Sequence, residues 1–183
     1  MRARIPMILL LLLGSAVSGA RADDAPVAAA GVVELATAAA RSWSDDALLV
    51  YVENDTRIGA DGRADRWGFL FWSRTRDEAR GYSLRDGDVV DARRLGFDFD
   101  APPLSDGWID SDEALRRADD AGGAEYRDLH AAHLRSMVLT RGLLHLDDPD
   151  RTTWTCVYDA EGQPSLWIVV DAGNGEILRR WKG

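Results

Sequence analysis

The sequence predicts an α+β fold in which two helix-plus-antiparallel-sheet repeats share one curved sheet packed on helices. Each half of the chain opens with a helical pattern and continues as a run of short strand patterns. Turn signals at Asp61-Gly62 and Asn174-Gly175 are typical of hairpins that join antiparallel strands. The spacing of the two halves is also similar, since Trp67 precedes Gly87 by 20 residues and Trp154 precedes Gly175 by 21.

The first repeat is predicted over residues 32–97. Val32, Ala36, Ala39 and Trp43 recur at helical spacing and would form one apolar face of a helix. Strand patterns follow, the second of them rich in aromatic residues, at 48–52, 67–72, 82–84 and 89–90. Residues 98–107 contain two prolines and several aspartates, a composition typical of a linker.

The second repeat is predicted over residues 108–183. Asp110 is expected to cap a helix by accepting from the amide of Glu113, and Glu113 to reach back toward the cap. Gly122-Gly123 would end that helix, because glycine adopts the left-handed conformation that a helix end requires. A further helical turn is expected within 126–134, and strands at 137–146, 154–158, 166–170 and 177–181.

The first 22 residues have the pattern of a cleavable signal peptide. Arg2 and Arg4 precede an apolar run at residues 5–13, and small residues lead to a cleavage point after Ala22. The run is too short for a bilayer span, which needs roughly 20 apolar residues. No cysteine stands near the cleavage point, so we expect a periplasmic or secreted protein without a lipid anchor. Residues 23–31 are expected to form a flexible leader.

The mature chain is strongly acidic. Removing the signal takes away Arg2, Arg4 and Arg21, so the net charge changes from −9 to −12. Such a surface repels nucleic acid and anionic membranes, and it favours solubility or a basic partner. Cys156 is the only cysteine, which excludes a disulfide within the chain, and its strand context predicts a small buried side chain.

The sequence shows no catalytic constellation. Ser83, Ser105, Ser111 and Ser165 lie in no nucleophile-elbow context, and neither a phosphate-binding loop nor a zinc-protease motif is present. We therefore predict a protein that is not an enzyme and uses no cofactor.

A metal site is also not predicted. His130 and His133 lie one helical turn apart, and His145 is the remaining histidine, so three or four closely placed ligands are lacking. The acidic clusters at 53–55, 98–100 and 147–150 lack the pattern of a calcium loop and fit turns.

Strand alternation separates the aromatic residues into two rows. The larger apolar row is assigned to the face under the helices and comprises Trp67, Phe69, Phe71, Trp154, Cys156, Tyr158, Leu166, Ile168 and Val170. The opposite, open face would carry Leu70, Trp72, Thr155, Val157 and Trp167. Exposed tryptophan on a sheet face is typical of a protein-binding surface. Two alternatives stay open: the faces are inverted, or these tryptophans are covered by loops or by the other half of the chain.

The second half resembles the PepSY domain of peptidase propeptides and exported bacterial proteins. The resemblance is carried by the helix at 113–118 and by the closing segment at 167–178, which contains Asp171, Asn174 and Gly175. The tandem arrangement is similar to the β-lactamase inhibitory protein architecture. The resemblance covers about residues 108–181, and it implies binding or inhibition of a protein partner without catalysis.

The sequence therefore predicts an exported, non-catalytic binding or inhibitory module that acts on a protein partner, such as a peptidase, in the cell envelope. A carrier that holds a small apolar or peptidic ligand on the aromatic face is the first alternative. An enzyme of an unrecognised type is the second.

Overall fold

A computed structural model describes residues 25–95, 102–142 and 148–183. The predicted signal peptide and the beginning of the leader lie outside these residues, as do 98–101 of the predicted linker. The elements, in chain order, are α1 (Ala30–Trp43), β1 (Leu48–Asn54), β2 (Trp67–Ser73), β3 (Glu78–Arg85), β4 (Asp88–Arg94), α2 (Ser111–Ala118), a π-helical turn (Asp119–Gly123), α3 (Ala124–His130), β5 (His133–Arg141), β6 (Thr152–Asp159), β7 (Leu166–Asp171) and β8 (Ile177–Lys182).

The predicted fold class, two helix-plus-antiparallel-sheet repeats, is wrong. The molecule is dominated by one antiparallel sheet of eight strands in the order β4-β3-β2-β1-β5-β6-β7-β8. Strands make up 41% of the described residues and helices 23%, the latter in two helical segments. The sheet is continuous because Tyr51, Val52 and Glu53 of β1 pair with 138–140 of β5.

The main core lies between the helices and one face of this sheet. The helices contribute mostly alanines, whose small side chains let α1 and α2 approach the strands closely. The indole ring of Trp154 packs edge-on against Trp67 and Trp108, with ring centres 6.2 and 5.9 Å apart. The indole nitrogens of Trp67 and Trp154 donate to the carbonyls of Val27 and Ile109, so these buried donors are satisfied.

The segment before α1 is attached to the loop that precedes β2. Val27 and Ala64 exchange backbone hydrogen bonds, and Ala29 is fully buried in the core. From Val27 onward the chain is therefore bound in the fold, where the sequence predicted a flexible leader.

The second helical segment begins at the predicted cap and bends at the predicted glycine. The Asp110 carboxylate accepts from the amide of Ser111, not from that of Glu113. Gly122 adopts a φ of 110°, and the chain continues as α3 after the bend. Of the helices in the part of the chain that the structure describes, none has the length and apolar character needed to cross a membrane.

Candidate functional site

The sheet face away from the helices carries all five residues predicted for partner binding. Their strand neighbours, including Phe69, Phe71, Cys156 and Ile168, belong to the core beneath the helices, and alternation puts the five on the opposite side. We name this side the helix-free face and define it by Tyr51, Leu70, Trp72, Thr155, Val157 and Trp167. The nine residues assigned to the helix side all lie in the main core.

The structure divides the five predicted residues into two groups. Val157 and Trp167 are direct partners on β6 and β7, with Thr155 one step along the same face. Leu70 and Trp72 lie on β2, and β1 and β5 separate them from the first group. Four strand spacings of about 4.8 Å lie between β2 and β7, so Trp72 and Trp167 are roughly 20 Å apart across the sheet alone. They are therefore not in contact with each other, and Trp72 is not part of the cluster around Trp167.

The exposure of the five side chains reduces the number that can contact a partner. Leu70 and Val157 are each 4% exposed and Thr155 is 2% exposed, whereas Trp72 and Trp167 are partly exposed. Leu70 packs with Val50, Tyr51, Ala79 and Leu95 in a second, smaller hydrophobic cluster. A buried side chain offers little area to a partner, which leaves the two tryptophans as contact residues.

Trp167 forms an aromatic stack that the sequence analysis missed. Its ring lies parallel to that of Trp181 on β8, with centres 5.5 Å apart and planes 17° apart. The guanidinium of Arg179 lies 4.7 Å from the centre of the Trp181 ring. Both rings are partly exposed, so a rigid aromatic surface with a cation beside it lies on the helix-free face.

A β-bulge explains why the stack was missed. Val170 pairs with Ile177 near the Asn174-Gly175 turn, and continuing that register would place Arg180 opposite Trp167. The register shifts between Val169 and Val170, which brings Trp181 opposite Trp167 and onto the same face. The available sequence signal is strand alternation counted from the Asn174-Gly175 turn. This count places Trp181 on the helix side of the sheet, which is the wrong face.

A carboxylate pair lies elsewhere on the helix-free face, at the end of β1. The Tyr51 hydroxyl donates to Glu53 at 2.5 Å, and the Ser83 hydroxyl of β3 donates to Asp55. Asp55 reaches Ser83 across Gly68, where a Cβ atom would lie 2.5 Å from the carboxylate oxygen. Glycine at this position therefore leaves the space that the carboxylate occupies.

Burial sets the protonation of this pair. It raises the pKa of Glu53 to about 7, with the charge of Asp55 adding to the rise and the Tyr51 hydroxyl opposing it. Burial also raises the pKa of Asp55, against the hydrogen bond from Ser83 and the charge of Arg66. Glu53 thus changes its charge near neutral pH.

Two cavities lie away from these groups. One, of about 500 Å³, is lined by residues 41–46 with Thr75 and Arg76. The other, of about 380 Å³, lies between α1, Phe71 and residues 103–108. Neither is lined by the tryptophan stack or by the carboxylate pair.

The remaining sequence candidates are the histidines, the acidic clusters and Cys156. Within the described ranges, no three histidine, cysteine or acidic side chains are grouped closely enough to hold a metal ion. His130 packs against the ring of Tyr126, while His145 lies outside those ranges, as do 98–100 and Asp147. Cys156 is fully buried, as predicted, and burial raises the pKa of its thiol.

The fold is shared with a solved bacterial structure. A scan against protein-family models and a search of curated proteins found no match. The chain is similar to the crystal structure of "a putative lipoprotein" from Clostridium difficile 630, with 14% identity and a TM-score of 0.53. The match covers 81% of this chain and 90% of that one. At this identity the likeness concerns the fold alone.

Proposed function

We propose that this protein is an exported, non-catalytic binding module that engages a protein partner through the Trp167–Trp181 stack. The observation that carries the proposal is that two large aromatic rings stack in parallel and stay partly exposed on the helix-free face. Stacking fixes both rings before binding, so little side-chain entropy is lost when a partner covers them. Tryptophan and arginine are also the residues most often found at the energetic centre of protein interfaces.

The proposed location is the periplasm or the outside of the cell. Its support is the signal-peptide pattern of residues 1–22, together with a fold shared with a protein described as a lipoprotein. The resemblance of residues 108–181 to PepSY supports a peptidase or another envelope protein as the partner, with inhibition as one outcome of binding.

The two cavities lined by described residues favour binding of a protein over carriage of a small ligand. A carrier that uses the aromatic face needs a concave pocket at that face. Among the residues that the structure describes, the cavities of about 500 and 380 Å³ lie elsewhere. The carboxylate pair has a perturbed pKa, a property of many catalytic sites, but neither cavity brings a substrate to it.

The proposal is tested by capture followed by titration. The mature protein, residues 23–183, is used to isolate a partner from envelope and culture fractions, and the identified partner is titrated against variants. Trp167→Ala and Trp181→Ala should each weaken binding, whereas Trp72→Ala, at the far end of the face, should not. Trp43→Ala on α1 is the matched control for loss of a partly exposed tryptophan. Equal affinity of all four variants would contradict the proposal.

A further inference from the structure

β8 forms one edge of the sheet and continues the surface of the Trp167–Trp181 stack. Among the described strands it pairs with β7 only, through contacts such as Trp167 with Trp181 and Ile168 with Arg180. In an antiparallel pair, alternate residues direct their backbone amide and carbonyl groups away from the partner. The outer side of β8 is thus available for a further strand.

This edge carries an excess of positive charge. Arg179, Arg180 and Lys182 are all exposed, and none makes an ion pair with any carboxylate that the structure describes. Arg179 lies on the helix-free face beside Trp181. By alternation Arg180 and Lys182 lie on the other face, where Arg180 approaches Gly122 and the Lys182 ammonium lies 5.1 Å from the ring centre of Tyr126. The cations therefore flank the edge on both sides.

The opposite edge of the sheet, β4, differs in this respect. Its Arg93 pairs with Asp91, and its Arg94 pairs with Glu78 at 3.2 Å. The arginines of β4 are balanced by neighbouring carboxylates, whereas those of β8 are not, in a chain with 31 acidic and 22 basic residues. Of the two edge strands, β8 therefore carries basic side chains without carboxylate partners in the described part of the chain, whereas β4 does not.

The positive charge of β8 determines which kind of strand can pair with it. Lysine and arginine on an edge strand oppose pairing with a second copy of the same strand, because like charges would face each other. The same cations attract an extended segment that carries carboxylates at alternate positions. Apolar side chains of such a segment would face Trp181 and Trp167 on the helix-free face.

We propose that β8 binds an acidic, extended segment of the partner protein by strand addition. Backbone hydrogen bonds form along the outer edge, carboxylates meet Arg180 and Lys182 on one face, and apolar side chains cover Trp181 on the other. This inference rests on the proposed function, since it names the partner segment that the tryptophan stack receives.

The test uses a fluorescein-labelled peptide of eight alternating glutamate and valine residues, with fluorescence anisotropy at low salt. We expect binding to the mature protein that is at least about tenfold weaker in the Arg180→Glu, Lys182→Glu variant. The Arg93→Glu, Arg94→Glu variant is the matched control, with the same charge change on β4, and should bind like the wild type. Circular dichroism checks that both variants are folded.

Two further peptides separate strand addition from simple charge attraction. A peptide with lysine in place of glutamate, and a glutamate peptide methylated on its internal backbone amides, should both fail to bind. Equal binding of the methylated peptide, equal binding by the β8 variant, or no binding of the acidic peptide would each overturn the inference. If a captured partner binds Trp167→Ala more weakly but binds the β8 variant as tightly as the wild type, strand addition is overturned and the proposed function is not. A partner unaffected by Trp167→Ala and Trp181→Ala overturns the proposed function.

Discussion

Glu53 is a carboxyl group placed where water cannot fully solvate its charge. It lies on the helix-free face beside Tyr51, and burial raises its pKa from about 4.5 to about 7. The folded protein therefore holds a proton on Glu53 between these two pH values, while the unfolded chain has released it. Because folding then binds a proton, the contribution of this group to stability decreases as pH rises through that window.

Replacing Glu53 by glutamine should remove this pH dependence. Between about pH 4.5 and pH 7, the Glu53→Gln variant should gain stability relative to the wild type by up to about 1.4 kcal/mol per pH unit. Urea unfolding at a series of pH values measures the difference. Glu161→Gln, an exposed change, is the control and should give no trend. A difference between Glu53→Gln and wild type that is constant over this range would contradict the assignment.

Hydrogen bonds at the start of α2 connect three parts of the chain: α2 itself, the beginning of α1 and the turn at Gly62. The buried Ser111 hydroxyl accepts from the amide of Ala29 at 3.1 Å and donates to the carbonyl of Gly62 at 2.8 Å. The Asp110 carboxylate accepts from the amides of Ser111 and Ala30. One helix end thus holds the beginning of α1 and the turn at Gly62.

Ser111→Ala should therefore destabilise the protein by about 1–3 kcal/mol, because it leaves a buried amide and a buried carbonyl unpaired. Ser42→Ala is the matched control, since Ser42 is an exposed helical serine that bonds only within α1. It should cost less than about 0.5 kcal/mol. Equal midpoints for the two variants in urea unfolding would show that the Ser111 contacts contribute nothing.

Local patterns predicted the elements well and their pairing less well. The alternation of Trp67, Phe69 and Phe71 placed these rings on the helix side, and the cap at Asp110 was predicted at the right residue. Bulges were not predictable, because a register shift leaves no distinct residue signature. Because the register shifts between β7 and β8, the sequence did not predict that Trp167 lies beside Trp181. That pair makes up most of the candidate site.

The whole molecule is organised by contacts between distant segments. The β1–β5 pairing makes one sheet, and Trp67 packs against Trp154 in one core. Neither contact has a local sequence signal, since the residues are more than 80 positions apart. Similar local patterns in the two halves predicted two helix-plus-sheet repeats that share a sheet, whereas the eight-stranded sheet itself dominates the described residues.

Unfolding should accordingly be a single cooperative transition. Denaturation followed by tryptophan fluorescence and by far-ultraviolet circular dichroism should give coincident curves, because Trp67 and Trp154 lie in the same core as both sets of strands. Two separated transitions would show that the halves at either side of residues 98–107 fold independently.

We propose that the Trp167–Trp181 stack is the contact surface for a protein partner. The most direct measurement is titration calorimetry of the captured, identified partner against mature wild-type protein and the Trp167→Ala, Trp181→Ala double variant. We predict that the double variant loses at least about 2 kcal/mol of binding free energy, or roughly thirtyfold in affinity, while Trp43→Ala binds normally. Unchanged affinity of the double variant, or failure of the wild-type protein to bind any partner, would contradict the claim.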